Sequence, residues 1–301
     1  MKIKWAMEYG NRNCVNQLKI LKRDFEVTGM NYEKLINGIK RFGSTEKDIC
    51  VNGIGILPEQ VQKNVIVAPW WEPNHLPGLG KAEYLSESYD VPTKVWEITT
   101  EENTKITYIK TGIGAPVLMD SLLSLGVTKC RKVIFIGSVG ALDEKIGIGD
   151  IVIPDYSICG DGASRYIASD DLAGNDCWGE KAYPDLGLFT KVKEITKNIC
   201  EKNNVKWHIG RNFSIDTVFA QFVHIDEIMN MGCNVIEMET AAAFRAAKTA
   251  NIAIAAVFSV SDNAVKNKTL ISGRTEEEMN YRRLVRKNLF PEIILKAFKD
   301  D

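Results

Sequence analysis

Asn234–Asn263, NVIEMETAAAFRAAKTANIAIAAVFSVSDN, is the stretch whose reading decides the fold. It opens on an acidic turn, Ile236-Glu237-Met238-Glu239. An Ala-rich segment follows and predicts a helix. The stretch closes on the apolar run Ile252–Val260 and then Ser261-Asp262-Asn263. A run of small and β-branched apolar residues reads as a strand buried on both faces, as in a parallel sheet. Ligands of open α/β sheets bind at the carboxyl ends of strands. The expectation is therefore that Asp262 stands directly after such a strand, at a ligand site. Glu237 and Glu239 are two positions apart, so on a regular helix they would point different ways. Glu237 thus reads as partly structural. The apolar flanks Val235-Ile236 and Ala241–Ala243 set this pair apart from a solvated, Glu-rich helix start.

Outward from this stretch, strands are predicted over Val65–Ala68, Lys105–Lys110, Lys132–Ile136, Gly149–Pro154 and His208–Asp216. Helices are predicted over Leu186–Asn203 and after Thr275, where Thr275 and Glu278 form a capping box. Leu284, Leu289, Ile293 and Leu295 give that last helix an apolar side and a scaffold role. Thr111-Gly112-Ile113-Gly114 reads as a strand-to-helix turn, with Pro116 near the first helical position. The alternation predicts an α/β fold, three-layer α/β/α, with a mixed, largely parallel central sheet. Residues 1–63 read as an N-terminal helical extension, with helices over Val15–Phe25 and Tyr32–Phe42, and residues 64–301 as the main domain. The segment Ser157–Pro184 has few periodic apolar residues and reads as a long functional loop.

Composition excludes several classes. Of 301 residues, 45% are hydrophobic and 26% charged, ordinary for a globular protein. A net charge of -1 gives no reason to expect nucleic acid or a membrane surface as partner. The N-terminal sequence lacks the apolar run of a signal peptide. No segment approaches the roughly 20 apolar residues that span a bilayer. The seven cysteines are scattered without a CxxC, which fits reduced thiols in a cytoplasm. The three histidines form no metal-ligand pattern, so no metal and no cofactor are expected.

Three motifs carry a resemblance. They are Thr111-Gly112-Ile113-Gly114-Ala115-Pro116; Phe135-Ile136-Gly137-Ser138-Val139-Gly140-Ala141-Leu142 with Gly147-Ile148-Gly149-Asp150; and Glu237-Met238-Glu239 with Ser261-Asp262. In this order, over about residues 64–298, the chain resembles the nucleoside phosphorylase family. That superfamily comprises hexameric purine nucleoside phosphorylases, uridine phosphorylases and methylthioadenosine nucleosidases. The resemblance implies cleavage of a nucleoside's N-glycosidic bond in a homo-oligomer, a dimer or a trimer of dimers, in cytoplasmic purine salvage. It also implies site roles. Glu239, Met238 and Glu237 would hold the ribose. Phe213, Val139, Gly140, Ile236 and Ser261 would line the base. Ser138, Gly112 and Lys94 would form a phosphate or water site, with inorganic phosphate as possible co-substrate. Asp161-Gly162-Ala163-Ser164 is similar to a stretch in uridine phosphorylases.

The chain departs from the family at the anion site. In the first-strand loop Trp70 stands at the family's glycine position and no arginine follows, and Phe135 stands at the arginine position of the glycine motif. Phosphate needs close backbone approach and cationic donors, and these residues supply neither. Arg165, Arg211 and Arg274 are candidates to rebuild the site. Three readings stay open. Phosphorolysis would use a rebuilt anion site. Hydrolysis would use Glu72, in the first-strand loop, as the base that activates water. A nucleoside-binding protein would not turn over at all. Asp262 favours catalysis at a purine, because a carboxylic acid with a raised pKa can protonate N7 of the leaving base.

Overall fold

The computed structural model describes residues 30–86, 91–172 and 176–299. Ten strands form one mixed sheet: β1 (Asn64–Ala68), β2 (Lys81–Tyr84), β3 (Lys94–Thr99), β4 (Lys105–Lys110), β5 (Lys132–Ala141), β6 (Ile151–Gly160), β7 (Lys181–Ala182), β8 (Trp207–Ile215), β9 (Val235–Glu237) and β10 (Ala253–Asn263). The helices are α1 (Tyr32–Lys40), α2 (Glu46–Ile54), α3 (Ala115–Leu125), α4 (Leu186–Lys202), α5 (Val218–Asn230), α6 (Thr240–Thr249) and α7 (Glu276–Phe298). Two large cores sandwich the sheet. One lies under α2, α3 and α6 and includes Leu118, Phe135, Phe244 and Phe258. The other lies under α4 and α7 and includes Ile134, Ile136, Val192 and Phe290. This is the expected three-layer architecture.

Strand β5 sets the topology. Along its whole length, one edge pairs in parallel with β10. Its other edge begins beside β1, from Asn64↔Lys132 to Val67↔Phe135. It then takes β9 in antiparallel fashion at Gly140↔Ile236 and Ala141↔Val235. Pairing on that edge skips Ile136–Val139. The remaining pairs, β10 with β6, β6 with β8 and β8 with β9, join β5, β10, β6, β8 and β9 into a closed ring. The sheet is thus open on the β1–β4 side and curled into a small barrel on the other. A strand that changes partners leaves a cleft at the point of divergence, the kind of place where α/β sheets bind ligands.

Several expectations shift. Strand β10 runs through Asp262 instead of ending before it, because a register shift between Val260 and Asp262 lets pairing continue to Asn263. Strand β5 extends through its glycine motif to Ala141, held by β9 and β10. Strand β6 begins at Ile151 and runs to Gly160, so the predicted long loop is partly strand, with Ser164–Ile167 a 3-10 turn and β7 pairing back onto β6. The sequence reading missed β2, β3, β7, α2 and α5, and it took β9 for part of an acidic turn. Helix α2 is short, and Thr45 and Asp48 close a capping box around its start. The predicted Val15–Phe25 helix lies outside the described residues. On α7 the buried side comprises Val285, Leu289, Phe290, Ile293 and Ile294, whereas Leu284 points to solvent.

Phe135 occupies a position where the resemblance led us to expect arginine. It is fully buried and packs edge-to-face on Phe258 at 5.0 Å, joining β5 to β10 from the inside. Truncating a buried Phe removes its transfer energy and leaves a cavity. Phe135→Ala is expected to destabilise the chain by about 3–5 kcal/mol in urea unfolding; a loss under about 1 kcal/mol would mean the β5–β10 seam does not depend on this ring.

Candidate active site

The curl of the sheet lines four of the predicted residues into one transverse row. Phe213 of β8 is paired with Ile236 of β9, Ile236 with Gly140 of β5, and Gly140 with Asp262 of β10. Gly140 makes the row possible. A Cβ there would lie 3.1 Å from Asp262 Oδ2 and 3.3 Å from Ile236 Cγ2, so the two neighbours close over it. Behind the row, a Cβ on Gly160 would come within 2.3 Å of the Phe213 ring, so that ring also packs against bare backbone. Trp178 meets Phe213 edge-on at 6.0 Å from the outer side.

Asp262 is a buried carboxyl with an unusual partner set. The Ser261 hydroxyl lies 3.1 Å from Val139 O and 2.5 Å from Asp262 Oδ1. A hydroxyl has one proton to donate. That proton is therefore divided between two acceptors, Val139 O and Asp262 Oδ1, which ties the carboxyl to β5. Burial pushes the Asp262 pKa up, while Ser261, Arg274 and Arg282 pull it down. A carboxylic acid retained in this way is suited to proton donation.

The two glutamates have divided their work. Glu237 is enclosed, and its oxygens accept from Asn212 Nδ2 (2.6 Å), Ser214 Oγ (2.6 Å), Glu239 N (2.6 Å) and Thr240 N (2.8 Å). It therefore ties β8 to the start of α6 and caps that helix. Burial raises its pKa, and the four donors oppose this by favouring the ionised form. Glu239, at the N-cap of α6, accepts from Gly114 N at 2.7 Å. Burial, then the charge of Glu237, pushes its pKa up to about 8. Its contact requires the β4–α3 turn to bring Gly114 close. Gly112 and Gly114 both take positive φ there, +93° and +114°, a region other residues rarely enter. Met238, which separates the two glutamates in sequence, is half-buried.

The remaining predicted residues gather elsewhere. Glu72 accepts from Lys110 Nζ at 2.8 Å and Lys94 Nζ at 3.2 Å, which hold its carboxyl below the usual range. Lys94 is thereby engaged with Glu72. Ser138 lies in the cleft where β5 has left β1 and not yet met β9, and its Oγ accepts from Arg282 Nη2. Of the three arginines considered from sequence, Arg165 is exposed, Arg211 donates to Gly232 O, and only Arg274 reaches the site, 3.4 Å from Ser261 O. Trp71 is buried against Phe290, while Trp70 is exposed.

Sequence reasoning missed Arg282 and Arg286, having given α7 scaffold duty only. They stand on its buried side, with Arg286 4.8 Å and Arg282 5.9 Å from the Trp71 ring centre. A signal existed. Arg282 and Arg286 are four apart and in phase with Leu289 and Ile293, so they fall on the apolar stripe of the helix. Asn212 and Ser214, which hold Glu237, were also missed; two polar residues within a buried strand were the available sign.

The profile of the Phosphorylase superfamily matches residues 73–290. A purine nucleoside phosphorylase of DeoD type from Streptococcus pneumoniae is 22% identical over 165 residues, covering 53% of this chain and 64% of that protein. The Streptococcus thermophilus counterpart is 24% identical over 174 residues, covering 55% of this chain and 73% of that protein. The chain thus spans less than two thirds of the length of the first of these relatives. Among solved structures, uridine phosphorylase from Vibrio fischeri superposes with a TM-score of 0.65 at 21% identity, covering 84% of this chain and 96% of that one. Purine nucleoside phosphorylase from Toxoplasma gondii, in complex with immucillin-H, superposes with a TM-score of 0.62 at 16% identity, covering 80% and 92%. With the profile spanning most of its length, the chain belongs to the phosphorylase superfamily of purine and uridine nucleoside phosphorylases.

Proposed function

We propose that the protein cleaves the N-glycosidic bond of a purine nucleoside by phosphorolysis. The observation that carries this reading is Asp262, a buried acid closing the row Phe213–Ile236–Gly140. In the reaction, phosphate oxygen bonds to C1′ as the C1′–N9 bond breaks. The electron pair passes into the purine, and Asp262 delivers its proton to N7. The products are a sugar 1-phosphate and the free base. Phe213 and Ile236 offer the apolar wall a base needs. Glu239, aligned by Gly114 N, faces the sugar hydroxyls and strengthens its hold as the ribose gains oxocarbenium character.

Hydrolysis with Glu72 as base is the weaker reading. A carboxylate held by two lysines and kept well ionised is a poor proton acceptor near neutrality. A small-molecule nucleoside is the proposed partner, together with further copies of the chain in a homo-oligomer and a cytoplasmic location. Among the described residues no helix is long and apolar enough to cross a membrane.

Three measurements follow from these assignments. Purine and pyrimidine nucleosides incubated with and without phosphate should give sugar 1-phosphate from the purines only, and only with phosphate. Free ribose at a phosphate-independent rate would overturn phosphorolysis. Asp262→Asn should lower kcat on purine nucleosides by about 10²-fold or more with far less change in KM, the usual scale for a general acid; a variant as fast as the parent would remove Asp262 from the chemistry. Glu239 gives a pH signature. Its raised pKa means the folded chain holds a proton the unfolded chain has lost between the ordinary 4.5 and about 8. Its contribution to stability is complete below that window and is lost as pH rises through it, by up to about 1.4 kcal/mol per pH unit. Glu239→Gln should flatten this slope in urea titrations at pH 5 to 8; an unchanged slope would contradict the buried, protonated carboxyl.

A further inference from the structure

We propose that Arg282 and Arg286 of α7 form the cationic half of the phosphate site, supplied from within a single chain. The inference rests on the phosphorolysis reading and names the residues that would hold the co-substrate.

The argument begins with unbalanced charge. Both arginines stand on the buried side of α7, one turn apart, and Arg286 is only 9% exposed. Among the described residues neither lies within ion-pair distance of a carboxylate, and the Nε of each is buried without a hydrogen-bond partner. The one hydrogen bond between these guanidiniums and the rest of the site runs from Arg282 Nη2 to Ser138 Oγ. Burial, and then the neighbouring Arg286, push the Arg282 pKa down to about 10, far below the arginine norm. The acid that Arg282 feels is Asp262, which burial drives toward its neutral form. Two buried like charges with no ion pair among the described residues are costly, and buried charges are normally paired. An absent dianion would balance them.

The surroundings specify where it would sit. Trp71 lies against both guanidiniums, and Arg282 presents its N–H edge to Ser138 of β5. Ser138 meets that edge in the gap between β1 and β9, two residues before Gly140 of the base row. Its register partner, Ser259, has a buried hydroxyl with no partner, a further donor directed into the same region. Two planar forks and hydroxyl donors suit a tetrahedral phosphate dianion. The cationic donors that the first-strand loop and the Phe135 position lack would thus be recovered from the C-terminal helix.

The test uses the intact wild-type chain first. Phenylglyoxal labelling of arginines, mapped by peptide mass, should modify Arg282 and Arg286 at least 10-fold more slowly in millimolar phosphate than in chloride of equal ionic strength. In steady-state assays, Arg282→Met and Arg286→Met should raise the KM for phosphate by about 10²-fold or more, with KM for the nucleoside changed only a few-fold. Phosphate should also raise the Tm of the wild type and not of either variant. Because the substitutions remove buried, unpaired charge, the variants are expected to fold. Phosphate-dependent cleavage with unprotected arginines and an unchanged phosphate KM would overturn this assignment while leaving phosphorolysis standing. Cleavage indifferent to phosphate would overturn both, leaving glycosidic cleavage itself intact.

Discussion

One strand, β5, takes two different partners along one edge, and the site depends on that change. From Lys132 to Phe135 it is a central strand of a parallel sheet beside β1; from Gly140 it belongs to a small ring closed by β9. Both roles need the continuous seam with β10 on the other edge. Unpaired backbone is tolerated at such a divergence only where something polar can reach it. Ser138 and the glycines of the motif stand at that point. Closure of the ring also brings Phe213, from a strand that runs opposite to β5, level with Asp262.

Burial then determines the chemistry of the carboxyls. Glu237, Glu239 and Asp262 are all withdrawn from water, yet they differ in their donors. Glu237 has four and works as a rivet between β8 and α6. Glu239 feels that charge at close range and keeps a proton into the neutral range. Asp262 sits beside arginines and still has its pKa raised, because desolvation outweighs them. Three acids of similar intrinsic pKa thereby acquire distinct roles.

Much of this was legible in the chain. The capping box at Thr275, the strand Lys105–Lys110 and the helix from Leu186 follow local rules of periodicity and capping, and they stand where those rules put them. The motif glycines and the Glu237-Met238-Glu239 turn pointed to the superfamily whose profile the chain matches. The reading weakened where a residue's role depends on something far away in sequence. Lys94 read as an anion contact, and it is paired with Glu72, 22 positions away. Strands β2 and β3, which are short and carry many charges at the sheet edge, gave little alternation to detect.

What the sequence determined by itself, then, is most of the longer local elements and the family, because period, caps and turn chemistry act over a few residues. What only the tertiary structure decided is the pairing of those elements. The bulge that carries pairing past Val260 keeps Asp262 inside β10, and the change of partner along β5 sets Gly140 against it. The packing of α7 turned Arg282 inward onto Ser138, a residue 144 positions away in the chain. Such contacts are fixed by which faces can be buried together, a property of the whole fold that no window of sequence contains.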